Sequence, residues 1–527
     1  MVAEAISGTA RALPRRSLGG LIAISIFWFA LNFHWSAILT ILIPSQTLGL
    51  LFREAPAGSL ASQASWVNAH AGLTQAIVLA PGLIVALIAN PFFGLLSDRT
   101  PLGRLGRRRP YILGGTALNV VGLGLMALGP TLLSGGHSGN ALAPSILILM
   151  VGLMVTQLAN NAAAAPFHAY LPDFVPEAQR GTASGFMGFA MLAGQIGGAL
   201  VPSLLGFNSA KLLAGQQSFA AYNAGIVTAY AVVALVMVAL AMLTAVTVRE
   251  VRWTRPSAEA SHAPLGATWR GLTLTIVAVV VVVGGYLALV ALRAGVVLDD
   301  ASLSTLQIVA VVVAGIGAAW AFDFRPRRNT DFSWVVLTRM LVMMGIYLVQ
   351  SFLLLYMENV ANAPSPQAAT TTFIIILTLT AAASTAFAGW GSDRIGRKRM
   401  VYISGAFMAL VGAAFVIAPY LVPGQVLTVA YAAGAVFGLG YGAYLSVDWA
   451  LVADVLPSDA TFARDMGVWN IGLTIPQVLA AVFGGWMLAL GVALGSTGLG
   501  YTFLFVSFVV FCVLGTVTVR YIRGVKR

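Results

Sequence analysis

Charge is what this sequence has least of: of 527 residues only 9% are Asp, Glu, Lys or Arg, against 59% hydrophobic. The mean hydropathy is +0.89. No soluble fold of this length has an interior able to take that much apolar surface, so a water-soluble globular protein is excluded and the bilayer must act as solvent. Cysteine is nearly absent. The single Cys512 lies in the last apolar run, has no partner for an intrachain disulfide and says nothing about redox compartment. The five histidines are too scattered to form a metal-ligand set, and no Gly-x-x-x-x-Gly-Lys loop is present to cradle phosphates. Hydrolase and ATPase chemistry therefore lack sequence support. Neither an enzyme nor a cofactor or metal is expected.

What is present is a series of long apolar runs. Stretches of roughly 18 residues or more fall near 19–49, 74–96, 111–133, 144–171, 182–207, 223–248, 271–292, 303–322, 333–357, 369–391, 400–421, 426–456, 466–493 and 499–519. This predicts an all-α polytopic membrane protein of about fourteen spans. The residues before the first run, with Arg11, Arg15 and Arg16, lead into it without a small-residue cleavage site, so the first span is expected to be retained. A net charge of +12 in a soluble protein would suggest nucleic acid, but here the positions of the cations carry the information. With the N-terminus inside, every Lys and Arg falls in an inner segment except Arg53, Lys211 and Arg293 outside and Arg339 within a span. That satisfies the positive-inside rule and puts both termini in the cytoplasm of a multi-pass plasma membrane protein, an inner membrane in a prokaryote. The basic loops then anchor the protein on the lipid surface, and no nucleic acid is expected.

Two elements occur twice in the same order. "SDRTPLGRLGRRRPY" (97–111) returns in shortened form as "SDRIGRKRMVY" (392–402), and "AYLPDFVPEAQRGTASGFMGF" (169–189) is matched by "ALVADVLPSDATFARDMGVWN" (450–470). Such recurrence marks duplicated six-helix bundles, 1–248 and 333–527. Between them, 249–332 carries a polar cytoplasmic stretch and an extra two-helix hairpin without counterpart in the repeat. That hairpin is nearly free of polar side chains, so it reads as a packing or spacing element. The paired acidic residues have a physical use. Asp98 and Asp393 end a helix where they can meet arginines and the positive N-terminus of a neighbouring helix. Together with Arg99, Arg107, Arg108, Asp173 and Arg180 in the first half, and Arg394, Arg397, Asp454 and Arg464 in the second, they are expected to form conformational latches.

"GWGSDRIGRKRM" resembles the loop signature of the major facilitator superfamily almost position for position. The longer first copy is similar to the branch that contains the sucrose-proton symporters and the glycoside-pentoside-hexuronide cation symporters. Span 1, "ALNFHWSAILTILIPSQTLGL", span 4, "QLANNAAAAPFHAYLPD", and span 11, "RDMGVWNIGLTIPQVLA", are similar to the same branch. The resemblance implies two six-helix bundles rocking about a central site, a small sugar as substrate, a proton as possible co-substrate, and a monomer. It also implies a carboxylate before Ala-Asn-Asn in span 4 and a later arginine. This chain has Gln157 and His168 at those places.

Gln157 can bond a sugar hydroxyl but cannot titrate, so proton coupling would need another group. Ionisable residues within spans are costly and hence candidates. His168, Asp448 and His34 are the ones expected to serve. Arg339 and Asp448 lie at similar depth and would satisfy each other as a buried pair, while Glu358 near the outer surface reads as solvated. Uncharged polar residues supply the substrate face. Gln157, Asn160 and Asn161 share one side of span 4 at i, i+3 and i+4, Asn470 and Gln477 one side of span 11, Tyr347 and Gln350 one side of span 7, and Asn32 and Trp35 one side of span 1. Amides for hydroxyls and aromatic rings for the C–H face are what a sugar needs. The leading expectation is a secondary transporter of a disaccharide or other small glycoside, with proton symport. A multidrug or metabolite exporter of the same superfamily and an uncoupled sugar facilitator remain alternatives at this point.

Overall fold

The computed structural model describes residues 14–99, 106–140, 143–248, 300–364, 366–457 and 461–525, together with 269, 270, 272, 273, 276 and 277. Among these no strand occurs, as expected where hydrocarbon leaves every peptide group to find its partner inside its own segment. Among the described residues, twelve helices are long and apolar enough to cross a membrane. Six lie in each half. Of the two further spans expected from the apolar runs, that at 271–292 falls almost wholly outside the described residues. The other corresponds to the helix Asp300–Ala321, 22 residues long.

The first crossing, Leu18–Glu54, has three parts: α1 (Leu18–Trp35), a π-helical stretch (Ser36–Leu42) and α2 (Ile43–Glu54). Ser17 caps α1 by accepting the Gly20 amide through its hydroxyl. Pro44 explains the π-helical turns. It has no N–H to donate and its ring crowds the carbonyl four residues back, so the ladder widens just before it. The helices α3 (Leu60–Arg99), α4 (Arg109–Leu133), α5 (Pro144–His168), α6 (Arg180–Ser203) and α7 (Phe219–Thr247) complete the first bundle. After α8 (Asp300–Ala321), the second bundle consists of α9 (Thr330–Asn359), α10 (Pro366–Ile395), α11 (Arg397–Leu421), α12 (Val426–Asp454), α13 (Phe462–Ala493) and α14 (Thr497–Thr518).

The halves meet along two seams, α3 against α13 and α6 against α10 and α12. Glycines make both possible. A Cβ on Gly94 would lie 2.3 Å from the Ala463 carbonyl oxygen, one on Gly467 would lie 2.5 Å from Pro91 Cα, and one on Gly185 would lie 2.6 Å from the Thr385 carbonyl oxygen. Backbones this close leave no path for solvent beside them. The segments before α1 and after α14 lie on the same face as these seams: Arg16 bonds the Phe174 carbonyl, and the Arg523 amide bonds Asp331 at the start of α9. The extra helix α8 packs on α3 and α13 together, so it lies along one seam and touches both halves.

Candidate functional site

Between the bundles lies a cavity of about 290 Å³, near the lower end of ligand pockets. Its first wall is largely amide: Asn32 from α1, Asn90 from α3, Gln157, Asn160 and Asn161 from α5, and Gln195 from α6. Trp28 and Trp35 stand beside them. The second half contributes Tyr347, Tyr441 and Trp449, then Asn470, Thr474 and Gln477 along α13. The widened turns that follow Trp35 begin where α1 passes this cavity. Eight of the nine residues expected to meet substrate are therefore brought together. Gln350 is not: it is exposed and does not line the cavity, lying about a turn further along the helix than Tyr347, the last residue of α9 to line it. Sequence reasoning missed Asn90, Gln195, Trp28, Tyr441, Trp449 and Thr474. The signal for Asn90 and Gln195 was available, since each is an amide flanked by apolar residues in a span.

The ionisable candidates occupy three settings. His34 is fully buried behind the cavity, with its ring nitrogens 3.1 Å from the Asn119 amide on α4 and 3.1 Å from that of Asn160 on α5. His168 lines the cavity, stacked on Trp28 at 5.0 Å between ring centres and meeting Trp449 edge-on at 5.1 Å. Neither of its nitrogens has a hydrogen-bond partner. Asp448 forms the expected buried ion pair with Arg339 and accepts the Tyr444 hydroxyl at 3.1 Å. The Arg339 guanidinium also lies 3.4 Å over the Trp469 ring and reaches the cavity wall, so it joins the carboxylate behind it to the space in front. Among the described residues no group of three or more His, Cys, Asp or Glu could hold a metal.

Below the cavity, the repeated acidic residues close the face on which Arg16 and Arg523 lie. Asp98 pairs with Arg108 at 2.7 Å and accepts the Arg464 amide at 3.0 Å in the first turn of α13, across the seam. Asp393 accepts the Gly181 and Thr182 amides at 2.9 and 2.8 Å in the first turn of α6, and the Thr182 hydroxyl at 2.7 Å. Each aspartate thus caps a helix of the opposite half, where the exposed amides and dipole favour an anion. Around them, Asp173 holds Arg107 at 2.9 Å and Arg108 at 3.0 Å, while Asp454 holds Arg180 at 3.0 Å and also Arg397. Burial acts to lower the Arg108 pKa, but Asp173 and Asp98 outweigh it and hold the guanidinium above its ordinary range.

The two clusters are not identical. Arg180 crosses the seam to Asp454, whereas its counterpart Arg464 turns to its own neighbour Asp465 at 2.7 Å. Arg394 lies outside the network, with its guanidinium 3.8 Å over the Trp390 ring. Arg99 closes the last turn of α3.

The sequence profile of a family described as "MFS/sugar transport protein" matches residues 67–298, and that of the "Major Facilitator Superfamily" matches 335–527. The chain belongs to the major facilitator superfamily. Its relatives include the general alpha-glucoside permease of Schizosaccharomyces pombe, 26% identical over 200 residues that make up 38% of this chain and 32% of the permease. Another is the sucrose transport protein SUT2 of Oryza sativa subsp. indica, 26% identical over 191 residues, 34% of this chain and 38% of that one. The chain spans about a third of the length of the curated relatives it matches. Among solved structures, the proton:xylose symporter XylE bound to 6-bromo-6-deoxy-D-glucose superimposes with a TM-score of 0.60 at 16% identity, covering 94% of each chain. That likeness concerns the fold. In this superfamily member, then, a polar cavity lies between two bundles whose contacts on one face include charge-assisted helix caps at Asp98 and Asp393.

Proposed function

We propose that this major facilitator protein carries a small sugar, a disaccharide or other small glycoside, by alternating access, with a proton bound at Asp448. The single observation that carries the reading is the cavity lining. Amides from four helices of one half face two tyrosines, a tryptophan, Asn470, Thr474, Gln477 and the Arg339 guanidinium of the other, and among the described residues no carboxylate lines the space. Neutral hydroxyls are matched by such walls, whereas a lipophilic cation would ask for an acid. The printed names of the relatives, an alpha-glucoside permease and a sucrose transport protein, agree with it. With both termini assigned to the cytoplasm, the conformation described is the one closed on the cytoplasmic face.

Asp448 is favoured over the histidines on geometry. A proton on His168 would find no acceptor at either nitrogen and would lie near the Arg339 cation. A proton on Asp448 instead neutralises one partner of a buried pair and releases Arg339 toward the cavity it already lines. In lightly buffered proteoliposomes, sucrose or maltose is expected to raise the external pH on entry. Asp448→Asn should bind sugar yet evoke no pH change, and His168→Gln should keep the coupling. Sugar uptake by wild type without any pH change would reject proton symport. No uptake of either sugar would reject the substrate assignment.

A further inference from the structure

Hydrogen-bond accounting along the amide wall fixes which atoms remain for a ligand. The side-chain NH₂ of Asn161 donates to the Gln157 carbonyl one turn back at 2.8 Å. A backbone carbonyl offers lone pairs only, so this contact settles the orientation of the Asn161 amide without appeal to the usual ambiguity between oxygen and nitrogen. Its oxygen must then face the other way, where it meets Asn90 at 2.8 Å. Only an NH₂ group can satisfy it, so the Asn90 amide is fixed in turn, and Asn90 Oδ1 is left over. That oxygen has no partner, although the residue is 2% exposed and lines the cavity. At the other end, Gln157 Oε1 leans toward the Asn161 NH₂ at 3.5 Å. Gln157 Nε2 therefore points away from Asn161. Gly82 on α3 leaves room for it, since a Cβ there would lie 3.1 Å from Gln157 Cγ and 3.7 Å from Nε2.

We infer that Asn90 and Gln157 form a subsite for a vicinal diol, one hydroxyl donating to Asn90 Oδ1 and the hydroxyl on the adjacent carbon accepting from Gln157 Nε2. The inference rests on the sugar reading above and says how that site recognises its substrate. Asn160 Oδ1 is also without a partner, but Asn90 Oδ1 and Gln157 Nε2 have opposite hydrogen-bond character and belong to side chains held against the two ends of one amide group. A pair of neighbouring hydroxyls can donate with one and accept with the other, and so satisfies both. Asn161 is thereby a positioning residue: its polar atoms are already committed to Gln157 and Asn90, and it acts on substrate through them. Asn90, which the sequence pattern did not mark, makes direct contact.

The test uses the full-length protein in nanodiscs and equilibrium binding of sucrose and maltose, followed by monodeoxy analogues of whichever binds. Asn90→Ala and Gln157→Ala should each weaken the parent sugar roughly five- to 150-fold. The decisive readout is a cycle between residue and hydroxyl. One monodeoxy analogue should bind Asn90→Ala as well as the parent does, another should do the same for Gln157→Ala, and the two missing hydroxyls should sit on adjacent carbons. Asn161→Ala should weaken both. Should Asn90→Ala not fold, Gly82→Ala tests the second arm by crowding Gln157 alone, and should abolish the penalty for losing only that hydroxyl. Sugar binding to both alanine variants within about twofold of wild type, or a pair of hydroxyls that are not neighbours, overturns the diol subsite while leaving the sugar assignment intact. A wild type that binds neither sugar rejects that assignment, and the subsite falls with it.

Discussion

Replacing Asp393 by Asn should release the closed face, and the size of the effect follows from the contacts. Asp393 belongs to the second half, yet it accepts the Gly181 and Thr182 amides and the Thr182 hydroxyl of the first. An asparagine keeps one acceptor oxygen and turns an NH₂ toward a helix end that already presents donors. At least one charge-assisted bond across the seam is lost, about 1.5–3 kcal/mol, with about 0.3–1 kcal/mol of charge–dipole attraction. The total of about 2–4 kcal/mol applies only to this conformation, because the partners separate when the face opens. The ratio of closed to open molecules should therefore fall roughly 30- to 700-fold. Spin labels at the exposed positions Ala178 and Arg399, one on each half, would report the separation by pulsed electron paramagnetic resonance. Native Cys512 is buried and would stay unlabelled. Sugar affinity should stay within a few fold, since the carboxylate does not line the cavity. An unchanged distance distribution together with a large loss of sugar affinity would refute the reasoning.

Gly94→Ala should block closure along the other seam: its Cβ would meet the Ala463 carbonyl oxygen at 2.3 Å. The labelled protein should then show the widened distance with an unaltered melting temperature, because the clash exists only when the halves touch. For the Arg339–Asp448 pair, removing either partner strands the other charge and should cost about 3–5 kcal/mol. Arg339→Met combined with Asp448→Leu should melt closer to wild type than either single variant, and a double variant less stable than both would contradict the pairing.

Much of the central site was legible because helical periodicity is local. Gln157, Asn160 and Asn161 had to share a face, and they do line one cavity. The placement of Asp98 and Asp393 against helix N-termini also followed from sequence, since the repeat gave the topology and the charge gave the partner. Reading failed where contacts cross helices. Nothing along the chain says that Arg464 turns to Asp465 while its counterpart Arg180 spans the seam, or that Arg394 prefers the ring of Trp390.

Composition alone decided the solvent, and with it the secondary structure, because a backbone in hydrocarbon has few ways to satisfy its own amides. The order of the motifs decided that there are two related halves. Tertiary structure alone decided which polar atoms are spent and which are left. Asn90 and Asn161 are 71 residues apart, and only their meeting at 2.8 Å commits the polar atoms of one and leaves an oxygen of the other without a partner. A side chain's type is set by the sequence, but its free valence depends on every neighbour the fold brings to it.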